Sequence, residues 1–312
     1  MPALATDRPL AAAGLLCAGM VGISLIDNLI RYFDEALTLW QFQILRAVWA
    51  LPLLGVAALL LSRHSVRALS PKWVAIRSTV MAISLMFFFA AIPMIPIAQC
   101  TAGLFSSPLW VIVLSALWLR EPPGWRRIAA VGLGFAGVLL ILRPFDDDVS
   151  GWVVLPVVAG FLYAIAVLMT RSHCREESPL ALLFANFVAF GVLAAIGALA
   201  VEWLRPPVEV APFLFTPWGE PPLWAVLGMA GMAAGTCLTV AMIARAYQMA
   251  EASFLTLFDF AHVPGAITFA WLLWDEVPPP SAGLGVALLV AAAAMLAWSA
   301  RRASAPGNPR TA

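Results

Sequence analysis

Long apolar runs separated by short polar loops dominate this sequence. A helix needs about 20 apolar residues to cross the hydrocarbon core of a bilayer, and such runs recur throughout the 312 residues. Apolar residues make up 62% of the chain and charged residues 11%, whereas a soluble domain is about half apolar and about a quarter charged. The chain is therefore predicted to be an all-α integral membrane protein with many spans.

The apolar runs divide into ten predicted transmembrane helices, which places the N and C termini on the same side of the membrane. These predicted spans cover residues 10–29, 38–61, 73–93, 96–118, 127–143, 151–171, 180–203, 223–245, 252–274 and 282–300.

Basic residues are distributed unequally between the two sets of loops. If both termini are cytoplasmic, the outer loops contain only Arg31, Arg143 and Arg205. Lys and Arg concentrate on the cytoplasmic side of membrane proteins, so we expect cytoplasmic termini in a bacterial cytoplasmic (inner) membrane. The inner loops and span ends contain Arg8, Arg63, Arg67, Lys72, Arg77, Arg120, Arg126, Arg127, Arg171, Arg175, Arg245, Arg301, Arg302 and Arg310.

The two halves of the chain end in similar blocks, which indicates an internal repeat. In each block, a span containing a proline is followed by an acid, further prolines and a final span with Gly-Leu-Gly near its start. Pro108 is paired with Glu121 in the first block, and Pro264 with Glu276 in the second. Five spans per half is an odd number, so the halves would be inverted, as in many secondary transporters. The predicted units are residues 1–147, residues 148–303 and a disordered cytoplasmic tail, 304–312.

The sequences WLRE and WLLWDE, at the ends of the fourth and ninth spans, carry a family resemblance. Together with the ten-span count, they resemble the EamA-type members of the drug/metabolite transporter superfamily, over nearly the whole chain. IDNLIRYF and QFQILRAVW also resemble a bacterial subgroup that includes S-adenosylmethionine carriers. The acid and the arginine that recur in the first two spans of that subgroup match Asp27 and Arg46. DFAHV in the ninth span departs from the uncharged, aromatic-rich pattern of the family.

The resemblance implies a secondary transporter, not an enzyme, that binds its solute between the halves and works by alternating access. Export is the common assignment in the family, and uptake also occurs. The expected partners are a small-molecule solute and the lipid bilayer, with no cofactor, metal or nucleic acid. One alternative is an uptake carrier or exchanger for a metabolite like S-adenosylmethionine. Two others are an intramembrane enzyme and a membrane subunit that transports nothing.

The stretch LFDFAHVPG in the ninth span combines an acid, an imidazole and a proline. Asp259 and His262 are three residues apart and therefore share a helix face. Pro264 cannot donate to the carbonyl of Phe260, so the turn should open and free a backbone acceptor. Because histidine titrates near neutral pH, we interpret this stretch as a substrate or proton-coupling site. An interhelical hydrogen-bonded pair with a purely structural role is the alternative.

Asp27 and Arg46 in the first two spans are the other ionisable pair within the apolar segments. They are expected either to form a structural salt bridge or to bind substrate, with Arg46 holding a carboxylate in bidentate fashion. Gln43 and Trp49 are each three residues from Arg46 and should lie on its side of the helix. With Phe87, Phe88 and Phe89 nearby, this face favours a zwitterionic, amino-acid-derived metabolite.

Several smaller polar residues are candidates for lining the same pathway. Ser106 and Ser107 precede Pro108 in the fourth span, where their hydroxyls can patch an opened backbone or bind substrate. The remaining candidates are Gln99, Tyr163 and Asn186.

Glycine patterns in two spans are attributed to close helix contacts. Gly132, Gly134 and Gly137 match the GxGxxG pattern, but a dinucleotide fingerprint requires a strand before it and a helix after it. Gly231 and Gly235 form a GxxxG pair that suits helix packing or, alternatively, a homodimer. The four cysteines contain no CxxC motif and are interpreted as reduced packing residues.

Overall fold

The computed structural model describes residues 9–61, 66–118, 125–142, 150–249, 255 and 258–304, and within these ranges the chain is helical with no strand. The first six helices are α1 (Pro9–Leu29), α2 (Leu39–Leu61), α3 (Pro71–Ala91), α4 (Ile97–Leu104), α5 (Ser107–Trp118) and α6 (Trp125–Leu142). The next six are α7 (Val154–His173), α8 (Pro179–Leu204), α9 (Pro212–Phe215), α10 (Leu223–Met249), α11 (His262–Trp274) and α12 (Pro280–Ser304).

Seven helical segments in the described ranges are long and apolar enough to cross a membrane. They coincide with predicted spans one to four and six to eight. The other three predicted spans coincide with α6, α11 and α12. The apolar parts of α6 and α12, residues 128–141 and 280–292, are shorter, and α11 has 13 residues. The all-helical membrane class is confirmed, and the count of ten spans stays a prediction.

The helices pack in a consistent set of pairs. Helix α6 lies against α12, α3 against α7, α1 against α10, and α2 against α8. Helix α1 also contacts α11, α7 contacts both α4 and α5, and α2 and α3 reach α10 and α8 respectively. Helices from the first half of the chain therefore pack mainly against helices from the second half.

The apolar side chains divide between a packed interior and an exposed outer surface. The interior contains large side chains with almost no exposed area, including Phe42, Phe88 and Met229. Large apolar side chains such as Leu60, Leu199 and Leu227 remain more than half exposed along the helices. A soluble protein rarely exposes so much contiguous apolar surface, and a surface of this kind suits contact with lipid.

The proline-rich segment 205–222 packs against the start of α2. Phe213 of this segment is buried in the core. The indole of Trp40 donates to the carbonyl of Leu214 at 2.8 Å, and the amide of Gln41 donates to the carbonyl of Gly219 at 2.7 Å. The segment is thus tied to the protein by its own backbone carbonyls.

Some sequence predictions lie outside the described residues. The boundary proposed between the two units falls within residues 143–149, and Glu121 falls within 119–124. The proposed tail begins at Ser304, which the structure includes as the last residue of α12. The rest of that tail, 305–312, is outside the described ranges.

We predict that Gly137→Ala will destabilise the α6–α12 pair. A Cβ at Gly137 would lie 2.7 Å from the carbonyl oxygen of Gly285, whereas a Cβ at Gly132 on the same helix meets nothing within 4 Å. Overpacking of this kind costs about 1–3 kcal/mol, so the midpoint of thermal unfolding in detergent should fall for Gly137→Ala. Gly132→Ala is the matched control, and equal midpoints for both variants would contradict the packing described here.

Candidate functional site

The predicted fourth span is broken in its middle. Helix α4 ends at Leu104, and α5 begins at Ser107 after a turn in which the Ser106 hydroxyl donates to the Gly103 carbonyl at 2.6 Å. Pro108 is the second residue of α5. Because the first N–H groups of any helix lack an intrahelical acceptor, a proline there removes no hydrogen bond.

A second break lies at the start of α11. The 3₁₀ helix Phe258–Ala261 leads directly into α11, whose first residue is His262. Pro264 is therefore in the first turn of a new helix. Pro264 has no N–H to donate to the 3₁₀ turn before it. The expectation that Pro264 opens the helix stays a prediction.

The two breaks face a common cavity of about 610 Å³. Ser107 and Pro108 line it from the first break, and Asp259 and His262 line it from the second. The other polar lining residues are Asp27, Arg46, Arg77, Tyr163, Asn186 and Thr236. The aromatic lining residues are Phe88, Phe89, Phe105, Phe187 and Phe190. A volume of this size is typical of small-molecule sites, which fall at about 300–1,000 Å³.

Asp27 and His262 form a buried pair across α1 and α11. The Nε2 atom of His262 lies 3.0 Å from Oδ2 of Asp27, and their side chains are 4% and 11% exposed. The imidazole also stacks on the ring of Phe105, with 5.0 Å between ring centroids. Asp27 is thus held by the second half of the chain, and the salt bridge that the sequence allowed between Asp27 and Arg46 does not form.

Arg46 is held in the cavity wall mainly by aromatic rings. Its guanidinium carbon lies 5.0 Å from the ring centroid of Phe89 and 5.8 Å from that of Phe187. One terminal nitrogen donates to the Thr236 hydroxyl at 3.3 Å. Its Nε and Nη1 atoms are buried and have no hydrogen-bond partner in the described part of the chain. This cation therefore retains donor capacity for a ligand.

Most of the polar and helix-break residues proposed from the sequence line the cavity, and five do not. Those that do are Asp27, Arg46, Ser107, Pro108, Tyr163, Asn186, Asp259 and His262; those that do not are Gln43, Trp49, Gln99, Ser106 and Pro264. The indole of Trp49 donates to the carbonyl of Val226 at 3.1 Å, so Trp49 joins α2 to α10. Gln43 is fully buried. A binding role stays a prediction for all of these residues.

Sequence reasoning missed two polar residues of the cavity. Arg77 was assigned to a cytoplasmic span end, yet it lines the cavity from α3. Thr236 lines it from α10 and accepts from Arg46. The position of Arg77 in the sequence could have indicated that it lines the cavity. It lies six residues after the start of α3 at Pro71, which is deeper in the helix than a loop residue should lie.

A network around Arg31 joins several elements at one end of the bundle. Its guanidinium forms an ion pair with Glu276 and donates to the carbonyls of Ile92, at 3.2 and 3.1 Å, and Ile95, at 3.0 Å. The other Glu276 oxygen accepts from the backbone N–H of Ile97 at 3.2 Å. The network therefore joins the end of α1, the α3–α4 loop and the residue that follows α11.

Two acidic residues near the Arg31 network have an unusual backbone conformation or a shifted pKa. Asp275 caps α11 in the left-handed conformation with φ of 55°, which an aspartate tolerates better than most residues, and turns the chain before Glu276. Near Arg31, burial raises the pKa of the Asp34 carboxyl above its ordinary value; neighbouring Glu35 raises it further and Arg31 opposes the shift.

Comparison with known proteins agrees with this geometry. A model of the EamA-like transporter family matches residues 10–143. A protein of Vibrio cholerae named riboflavin transporter is 32% identical over 252 residues, which cover 79% of this chain and 78% of that one. This chain belongs to the EamA-like transporter family.

Two further comparisons agree with membership of the EamA-like family. A Rickettsia bellii protein named S-adenosylmethionine uptake transporter is 23% identical over 208 residues, covering 67% of this chain and 66% of that one. A crystal structure matches with a TM-score of 0.59 and 18% identity, over 94% of this chain and 99% of that chain; this likeness shows the fold alone.

Membership of the EamA-like family accounts for the apolar surface and the central cavity. The chain is a multi-pass transporter of the bacterial inner membrane, and its cavity is the candidate solute site. No group of three or more His, Cys, Asp or Glu residues that could hold a metal ion occurs among the residues searched.

We predict that Asp27 is energetically coupled to His262 more strongly than to Arg46. Removing one partner of a buried ion pair leaves the other unsatisfied, and contacting residues show coupling energies of about 0.5–3 kcal/mol. A double-mutant cycle with Asp27→Ala and His262→Ala, read from thermal unfolding in detergent, should give a value in this range. The matched cycle uses Asp27→Ala with Arg46→Ala. A larger coupling in that second cycle would overturn the pairing described here.

Proposed function

We propose that this transporter moves a flat heteroaromatic metabolite of the flavin type across the inner membrane by alternating access. The observation that carries the proposal is the environment of Arg46. A cation with two unpartnered buried N–H groups lies over aromatic rings in the wall of the cavity. Such a wall suits a planar ring system that stacks on apolar surfaces and offers hydrogen-bond acceptors at its edge.

Riboflavin has both of these features. Its isoalloxazine ring is flat and tricyclic, and carbonyl oxygens and ring nitrogens at one edge accept hydrogen bonds. Five phenylalanines line the cavity, and the Arg46 guanidinium is a donor that can meet such an edge. The name of the Vibrio cholerae relative, riboflavin transporter, supports the same solute class for this chain.

The geometry favours this class over the zwitterionic metabolite expected from the sequence. That expectation relied on Asp27 and Asp259 to bind an amino group, and of these two the Asp27 carboxylate is engaged by His262 at 3.0 Å. A metabolite like S-adenosylmethionine, suggested by the Rickettsia bellii relative, remains the second candidate because Asp259 also lines the cavity. It therefore belongs in the assay as a competitor.

The pattern of helix pairs supports two inverted five-helix repeats. If the halves are exchanged, α1 corresponds to α7, α2 to α8 and α3 to α10. The pair α3–α7 then becomes α10–α1, and the pair α2–α10 becomes α8–α3; all four pairs are present. The contact of α1 with α11 likewise corresponds to that of α7 with α4 and α5. We infer that the two breaks are equivalent elements of the two repeats.

The cavity and the Arg31 network together suit an inward-facing conformation. The lining includes Arg77 and Pro179, near the starts of α3 and α8, which are cytoplasmic ends in the predicted topology. The Arg31–Glu276 network then lies at the outer end. We propose that this network is the outer gate, which opens when the cytoplasmic end closes.

Asp27 and His262 are suited to proton coupling in such a cycle. The pair lies in the cavity wall, and Nδ1 of His262 is buried without a hydrogen-bond partner in the described part of the chain. An imidazole held by a carboxylate on one side can take up or release a proton on the other. Export, the direction expected from the family resemblance, stays a prediction that a vesicle assay reads directly.

We predict that the purified protein in liposomes will move riboflavin. Arg46→Gln should reduce the rate of transport at least roughly tenfold, because hydrogen bonds to a charged group contribute about 1.5–3 kcal/mol. Riboflavin fluorescence, followed inside and outside the vesicles, gives rate and direction. Arg171→Gln is the control, because Arg171 is exposed. S-adenosylmethionine is added as competitor. Flux equal to that of protein-free liposomes would contradict the proposed solute class.

We predict that Glu276→Gln will expose the interior from the outer side. Gln43 is fully buried, so Gln43→Cys, in a background without the four native cysteines, should react slowly with an impermeant thiol reagent applied outside. Loss of a charge-assisted contact shifts an equilibrium by about tenfold or more, so adding Glu276→Gln should speed labelling by that factor. Glu35→Gln, at an exposed acid near Arg31, is the control. Unchanged labelling would rule out the gate.

A further inference from the structure

Arg77 lines the cavity as a second arginine besides Arg46. It lies on α3 near the end of the bundle where Pro179 begins α8, and it lines the cavity together with Tyr163. Its side chain is neither fully buried nor freely exposed. A charged residue at this depth in a membrane protein is costly unless it has a partner or a function.

The described part of the chain offers Arg77 no acidic partner. Its Nε donates to the Thr170 hydroxyl at 2.8 Å, and no other described residue hydrogen-bonds to it.

Thr170 fixes the direction of the Arg77 side chain. Its hydroxyl donates to the carbonyl of Ala166 at 2.8 Å on its own helix, α7, and accepts from Nε of Arg77. The hydroxyl is therefore used as both donor and acceptor. With Nε held in this way, the two terminal nitrogens of Arg77 are the groups left for a ligand in the cavity.

We propose that Arg77 forms an anion subsite, so that the preferred solute carries a phosphate or carboxylate on the chain attached to its ring system. This inference rests on the proposed function, with Arg46 holding the ring and Arg77 the anionic group. Guanidinium is well suited to both oxyanions because its N–H groups match their geometry. The subsite selects among flavin-like compounds those that bear a negative charge.

The test compares riboflavin with riboflavin 5′-phosphate as solutes for the full-length protein in liposomes. We expect a lower KM for the phosphate, and we expect Arg77→Gln to raise that KM at least roughly tenfold more than it raises the KM of riboflavin. Arg77→Lys should restore part of the preference because it keeps the charge. Lys72→Gln, at an exposed cation on the same helix, is the matched control.

The outcomes separate this inference from the proposed function. If wild type moves neither flavin, the proposed function fails and the subsite fails with it. If riboflavin moves but the phosphate is not preferred, or Arg77→Gln leaves the preference intact, only the subsite is overturned. Arg77 could instead meet the phosphate of a lipid headgroup; Arg77→Gln would then slow both solutes equally and change with the lipid used, which also overturns the proposal.

Discussion

An interrupted helix in a bilayer leaves backbone groups that lipid cannot satisfy, and this constraint determines where the other helices must lie. At the first break, the Ser106 hydroxyl bonds to Gly103, and α7 covers the turn closely. A Cβ on Gly160 of α7 would lie 2.5 Å from the Gly103 oxygen, so only glycine permits this approach. At the second break, α1 packs against the 3₁₀ turn Phe258–Ala261 and against α11, within which Asn28 donates to the carbonyl of Ala266 at 3.2 Å. Each break is covered by the first helix of the opposite half.

The same helix packing brings the ionisable side chains Asp27, His262 and Arg46 together in the cavity wall. Asp27 lies on α1 directly before Asn28, and the packing of α1 against α11 that joins Asn28 to Ala266 also brings the Asp27 carboxylate to His262. Arg46 is on α2, which packs against α8 and α10, and those helices supply Phe187 and Thr236 around its guanidinium. The polar centre of the cavity thus lies where the helices that cover the two breaks meet.

The sequence predicted those features that depend on local composition. Span positions follow from apolar length, and both breaks were predicted from Pro108 and Pro264. Contacts between side chains on different helices were harder to predict. Asp27 and His262 are 235 residues apart, and a single sequence carries no signal for that contact. A spacing of three residues places Trp49 and Arg46 on the same broad side of α2 but does not fix which helix each side chain contacts. The Trp49 indole in fact bonds to α10. Arg77 was not recognised as a cavity residue because it follows the basic residues Arg67 and Lys72 and was grouped with them at the cytoplasmic end of the span.

The unsatisfied donors of Arg46 are informative because burial makes them costly. A buried donor without a partner costs about 1–3 kcal/mol, so a protein selected for stability alone would supply an acceptor, as it does for Arg31 with Glu276 and two carbonyls. Within the described residues, Arg46 has one hydroxyl and two aromatic rings. A solute that provides the missing acceptors recovers that cost on binding. The partial satisfaction by Thr236 limits the gain, and a transporter needs this limit because its solute must also leave.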